Sequence, residues 1–157
     1  MTASLPPIQV GAVAPDFALK DQHGQLVRLS SFRGNKAVLL VFYPFAFTGV
    51  CVGELHALET ERAELESRDV ALLAISVDSM YSQRVFAERE GFSYPLLADF
   101  WPHGGVASAY GVLHEQAGAA RRGSFLVGTD GIVRWAVVNE IPDARDIDDV
   151  RKAVAAL

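Results

Sequence analysis

Apolar residues fall into two kinds of pattern along this chain. AVLLVFY (37–43) and VALLAISV (70–77) are unbroken apolar runs of strand length, rich in branched and aromatic side chains, as strands buried on both faces require. Between them, Val52, Leu55, Leu58 and Leu65 lie on one helical face, while Glu59, Glu61, Arg62 and Glu66 cover the other. That spacing predicts a helix over 49–67 with Thr48 in N-cap position. A second helix is predicted over 79–90, closed by Gly91. Shorter signals complete the pattern. Residues 16–29 read as two short strands around a His23-Gly24 turn. SYPLLADF (93–100) is a short strand interrupted by Pro95, and a small helix follows around 103–110. SFLVG and IVRWAVV are joined by Thr129-Asp130-Gly131, a hairpin signal, and the final helix carries Ile147, Val150 and Val154 on one face.

The resulting order is β–α–β–α followed by β–β–α. A parallel pair joined by helices, extended by an antiparallel hairpin and covered on both faces, is an α/β fold: a thioredoxin-like three-layer α/β/α sandwich with a mixed sheet. With 157 residues there is enough chain for one core. We expect a single domain over 10–157 preceded by a loose tail over 1–9.

Half of the residues are hydrophobic and 21% are charged, an ordinary globular balance with a net charge of −5. No basic run exceeds Arg121-Arg122, which argues against a nucleic-acid-tracking surface. No apolar run approaches the roughly 20 residues of a membrane helix, because Pro44 breaks the longest one. MTASLPPI lacks the basic start and apolar core of a signal peptide. The single cysteine, Cys51, excludes an internal disulfide framework and a cysteine-rich zinc site, and the expected compartment is the reducing cytoplasm.

Cys51 lies in PFAFTGVCVGE (44–54), just past a buried strand and in the first turn of the predicted helix. Free backbone N–H groups and the helix dipole there favour a thiolate, the reactive form of the side chain. An inert core cysteine is the competing reading of the thiol taken alone. Two familiar uses fail on inspection. A dithiol exchange motif needs Cys-x-x-Cys, and the chain has Cys51-Val52-Gly53-Glu54. A Cys–His hydrolase needs a positioned imidazole, and His23, His56, His103 and His114 lie in no nucleophile motif. What remains is chemistry in which one thiolate attacks and something else resolves the product.

Pro44-x-x-x-Thr48-x-x-Cys51 resembles the active-site motif of the peroxiredoxins, and Arg122-Gly123-Ser124-Phe125 resembles their second signature, an Arg before a core strand. GAVAPDFALKDQHGQLVRLSSFRG is similar to the N-terminal segment of that family. FYPFAFTGVC, SYPLLADFWPHGGVASAYGV and EQAGAARRGSFLVGTDGIVR resemble the one-cysteine, alkyl hydroperoxide reductase E type. The likeness runs from about residue 10 to near the end.

The resemblance implies a peroxiredoxin-type fold and a thiol-dependent peroxidase acting on hydrogen peroxide, organic hydroperoxides and, by extension, peroxynitrite. Cys51 would be the peroxidatic cysteine. Arg122, rather than Arg121, would favour its thiolate and hold the peroxide oxygens. Thr48 would orient sulfur and peroxide through its hydroxyl, and Pro44 would limit water access. Glu54 would help to orient an Arg; its alternative role is a first-turn acid that complements the helix dipole. Phe45 and Phe47 are candidates for exposure at a dimer interface or towards a bulky hydroperoxide, while Phe42, Tyr43, Phe100 and Trp101 are more naturally core.

With no second cysteine, an external thiol must condense with the Cys51 sulfenic acid, and a second thiol must release it; excess peroxide drives it on to sulfinic acid. The pocket mouth is therefore expected to leave Cys51 incompletely sealed. The resemblance implies no bound cofactor, a low-molecular-weight thiol such as mycothiol, a glutaredoxin-like reductase, and a homodimer. Two rival readings stay open at this level: a peroxide-sensing redox relay and a non-catalytic thioredoxin-fold binding module.

Overall fold

The apolar runs form the centre of a sheet. The computed structural model describes residues 5–157. Its elements are β1 (Ala18–Lys20), β2 (Leu26–Arg28), β3 (Ala37–Phe42), α1 (Gly49–Ser67), β4 (Val70–Ser76), α2 (Met80–Glu90), β5 (Leu96–Ala98), α3 (Gly105–Ala109), β6 (Leu113–His114), β7 (Ala119–Ala120), β8 (Arg122–Val127), β9 (Val133–Asn139) and α4 (Ile147–Ala155). The main sheet has the order β5-β4-β3-β8-β9. β3 pairs parallel with β4 and β4 with β5, whereas β8 runs antiparallel to both β3 and β9. Helices and loops cover both faces, in the thioredoxin-like α/β arrangement that the element order predicts.

Strand alternation sorts the core into two clusters. Leu39, Val41 and Tyr43 point to one face, with Leu72, Ala74 and Leu126; there they meet Leu55 and Leu58 of α1, Phe86 of α2 and Val150 and Val154 of α4. Leu40, Phe42, Leu73, Ile75 and Phe125 point to the other face, against Phe17, Ala107 and Tyr110. Phe42, Tyr110 and Phe125 form a ring cluster there, with centroids 5.2–5.9 Å apart. Cys51 belongs to the first cluster.

The helix ends follow their signals. Ser79 accepts the Ser82 N–H at the start of α2, and Gly91, at φ 76°, closes it in the left-handed region that a side chain would disfavour. The β6–β7 pair was not foreseen, because two residues per strand are too few to display an alternation. Of the expected loose tail, residues 1–4 lie outside the described residues. Further along, Ile8 N–H donates to Tyr110 O at 3.2 Å, and the Pro6 carbonyl lies so close to Gly111 that a side chain there would collide with it.

Candidate active site

The site forms where the central strand ends. β3 gives way to Tyr43 and Pro44, both buried, and then to a turn before α1 in which Phe45, Phe47 and Thr48 are exposed and Ala46 is buried. Thr48 is the N-cap residue of α1 by position, with extended φ and ψ, but its side chain does not cap the helix. Its hydroxyl instead donates to Phe45 O at 2.9 Å, tying the turn to itself. Cys51 is the third helical residue, so its own N–H is among those without an intrahelical partner.

The sulfur is fully buried, which departs from the expected open mouth. The first turn of α1 directs Cys51 inward, among Tyr43, Ala46 and Leu55, rather than towards solvent.

Arg122 reaches this point from β8. Continuing the β3–β8 register past Val41–Ser124 sets Arg122 abreast of Tyr43, on the same face as Leu126 and Cys51. Arg121 has the opposite parity; it donates to Leu113 O and pairs with Glu140 at 3.2 Å near the surface. Parity therefore separates the two neighbouring arginines. Arg122 Nη1 lies 3.4 Å from Cys51 Sγ, and Arg122 Nε donates to Ile141 O at 2.6 Å, which fixes the plane of the guanidinium.

Glu54, one turn after Cys51, accepts from Arg122 Nη1 in an ion pair whose side chains are 3% and 4% exposed. The carboxylate also meets a second arginine. Its second oxygen accepts the Arg145 N–H at 2.7 Å, and its first lies 3.5 Å from Arg145 Nη1. Arg145 also donates through Nη2 to Phe42 O, at the end of β3. Burial pushes the Arg145 guanidinium down to about 10 against the opposing pull of Glu54, so it remains a cation at neutral pH.

The site thus holds two guanidiniums and one carboxylate, all nearly buried, within reach of one thiol. Buried charge is costly unless compensated. Of these groups, the Arg122 guanidinium is the cation that touches the sulfur, and Arg145 stands on the other side of Glu54.

Sequence reasoning missed Arg145. It lies 91 residues from Glu54, in the loop before α4, and its only signal was a cation in the acidic stretch PDARDIDD. The aromatics also departed from expectation in part. Phe42 and Tyr43 are core and Phe45 and Phe47 are exposed, but Phe100 and Trp101 project to solvent as well, Trp101 at 82%. Three of the four histidines engage other groups: His56 pairs with Glu90, His103 with Gly118 O, and His114 with the Ala117 N–H. Among the described residues, no group of three or more His, Cys, Asp or Glu side chains could hold a metal ion.

Residues 10–136 match the model of the AhpC/TSA family. The chain is 51% identical over 150 residues to alkyl hydroperoxide reductase E of Mycobacterium tuberculosis and of Mycobacterium bovis, an alignment covering 96% of this chain and 98% of theirs. Among solved structures it is similar to the reduced 2-Cys peroxiredoxin of Plasmodium vivax, with a TM-score of 0.86 and 31% identity over 96% of this chain and 82% of that one. It is also similar to peroxidoxin BcpB of Mycobacterium tuberculosis, with a TM-score of 0.85 and 30% identity over 96% and 98% of the two chains.

Proposed function

The chain belongs to the AhpC/TSA family of peroxiredoxins, and from that premise we propose that Cys51 is its peroxidatic nucleophile, served by Arg122, Thr48, Pro44 and Glu54. The protein is a thiol-dependent peroxidase with one cysteine and no requirement for a prosthetic group. The observation that carries the assignment of residues is the Arg122 guanidinium, paired with buried Glu54 and held 3.4 Å from the buried Sγ.

The Cys51 thiolate attacks one oxygen of the hydroperoxide. An S–O bond forms, the O–O bond breaks, and the leaving oxygen takes the electron pair and the hydroperoxide's own proton to depart as water or alcohol, after which the sulfenate takes a proton from solvent. Cys51 is left as a sulfenic acid. Negative charge moves from sulfur to oxygen during this step, and the Arg122 guanidinium, already oriented by Glu54 and Ile141 O, stabilises it without reorganisation. The Thr48 hydroxyl spends its proton on Phe45 O, so its lone pairs are available to accept the hydroperoxide proton. Pro44, buried between Tyr43 and the turn, withholds a backbone N–H and keeps water from the sulfur.

Resolution comes from outside the chain. A low-molecular-weight thiol such as mycothiol condenses with the sulfenic acid, releasing water, and a glutaredoxin-like reductase then frees Cys51 by thiol–disulfide exchange. Because Sγ is covered, the turn over 44–48 and the first turn of α1 move outward before such a thiol can reach it. The reading extends to a cytoplasmic homodimer. A thiol that must return to its reduced form suits a reducing compartment, and the exposed aromatics Phe45, Phe47 and Trp101 suit a subunit contact.

One stoichiometric addition of hydrogen peroxide to the reduced protein tests the assignment. Mass spectrometry with a sulfenic-acid trap is expected to place one added oxygen on Cys51, reversed by excess thiol. Oxidation no faster than that of free cysteine would overturn it. Arg122→Ala is expected to slow this oxidation by about 10- to 100-fold, since a charge-assisted hydrogen bond contributes roughly 1.5–3 kcal/mol. Stopped-flow Trp fluorescence measures the rate, and an unchanged value would remove Arg122 from the reaction.

A further inference from the structure

The turn that delivers Cys51 is held from behind by a largely buried polar chain outside the Cys51–Arg122–Glu54 set. Asp78, between β4 and α2, accepts the Ala46 N–H on Oδ2 at 2.8 Å and the Ser76 hydroxyl on the same oxygen at 2.7 Å. Ser76 Oγ accepts from Gln83 Nε2 at 2.7 Å, and Gln83 Oε1 accepts the Tyr43 hydroxyl proton. The other Gln83 amide proton goes to Leu97 O at 3.2 Å. Every proton has a defined destination, so the chain runs one way, from Tyr43 through Gln83 and Ser76 to a carboxylate that only accepts. Tyr43, Ser76 and Gln83 are all buried, where an unmade hydrogen bond is expensive.

Both ends of this chain grip the same short segment. Tyr43 immediately precedes Pro44, and Ala46 lies two residues beyond it. The next residue, Phe47, sits at φ 67°, a region that an aromatic side chain enters only at a cost. Its ring packs 5.0 Å from Phe86, with the Arg89 guanidinium 5.6 Å above it. A strained turn persists only when its surroundings hold it. Beside the Thr48 hydroxyl's bond to Phe45 O within the turn, the Ala46 N–H on Asp78 ties the main chain next to the strain to a neighbouring loop.

We infer that Asp78 is a positioning residue for the peroxidase reaction: by holding Ala46 against the relaxation of Phe47, it keeps the first turn of α1 closed with Sγ beside Arg122. This rests on Cys51 as the nucleophile. Asp78 touches neither sulfur nor peroxide and acts through the turn. Releasing it should therefore change two properties of Cys51 in opposite directions. Peroxide oxidation, which needs the aligned site, slows. Attack by a bulky reagent, which needs the open site, speeds up.

The experiment compares the full-length wild type with Asp78→Ala and Asp78→Asn. Three quantities are read: the rate of Cys51 oxidation by hydrogen peroxide, the rate of its alkylation by a maleimide, and hydrogen exchange at the Ala46 amide. For Asp78→Ala we expect oxidation about tenfold slower, since small misplacements at a reacting centre are costly. Alkylation should be several-fold faster and Ala46 exchange accelerated, with the amides of β8 keeping their protection. Asn presents a carbonyl oxygen to the same two donors, so Asp78→Asn is expected to stay within about threefold of wild type. General loosening would instead deprotect β8 along with Ala46, and that result would overturn the inference. So would an Asp78→Ala variant with both rates at wild-type values, or an Asp78→Asn variant as slow as Asp78→Ala. Should Asp78→Ala not fold, Ser76→Ala cuts the chain one link away and is expected to shift both rates in the same directions; wild-type rates there would equally count against the latch. Failure of wild-type Cys51 to oxidise would fault the nucleophile assignment, while alkylation and exchange would still report on the latch by themselves.

Discussion

Cys51→Ser is expected to fold and to consume no peroxide above the uncatalysed background. Serine preserves the shape of the site, and its oxygen can accept from Arg122 as the sulfur does. Its hydroxyl is not ionised at neutral pH, however, and no other thiol exists in the chain to take over the attack. Arg122, Glu54 and Arg145 would remain in place with nothing to assist. Peroxide loss under a thiol reductant measures this directly, with circular dichroism as the check on folding. Any thiol-dependent turnover retained by the variant would remove Cys51 from the reaction.

Glu54→Gln carries the second large effect, and it falls on stability as well as rate. Glu54 is the only acidic side chain ion-paired to Arg122 and Arg145 among the described residues, and all three side chains are at most 5% exposed. A glutamine of the same size keeps one acceptor but removes the charge, leaving two buried cations together. Breaking a buried ion pair in this way costs about 3–5 kcal/mol, out of a total stability of about 5–15 kcal/mol for a domain. Urea denaturation measures the loss as a shifted midpoint at constant slope. A loss below about 1 kcal/mol would show that the two guanidiniums find other compensation. Peroxide oxidation of the variant should slow too, because Arg122 loses the partner that orients it beside Sγ.

Much of this site could be read along the chain because its parts are local. Pro44, Thr48 and Cys51 lie within eight consecutive residues between a continuous apolar run and an amphipathic helix, and that local order places the thiol at a helix start. Choosing Arg122 over Arg121 needed the second motif, and the fold supplies the physical reason, strand parity relative to Tyr43. Glu54 was legible as one turn beyond the cysteine, but its load was not. Its two partners come from β8 and from the loop before α4, and no periodicity in the chain announces that meeting. Thr48 shows the converse: its N-cap position was evident, yet its hydroxyl turned to Phe45 O, a preference of one turn's dihedral angles rather than of residue type.

By itself, then, the sequence determined the α/β order, the central strands, and the helix whose first turn carries the single thiol. These depend on local spacing, composition and short-range hydrogen bonding. Only the tertiary structure decided that Arg145 joins Arg122 around Glu54, that Sγ is sealed, that Phe100 and Trp101 face solvent, and that Asp78 accepts the Ala46 N–H in the turn before α1. Those outcomes depend on which distant elements come to lie side by side and on how their buried charges and donors must be satisfied there, and no short window of residues contains that information.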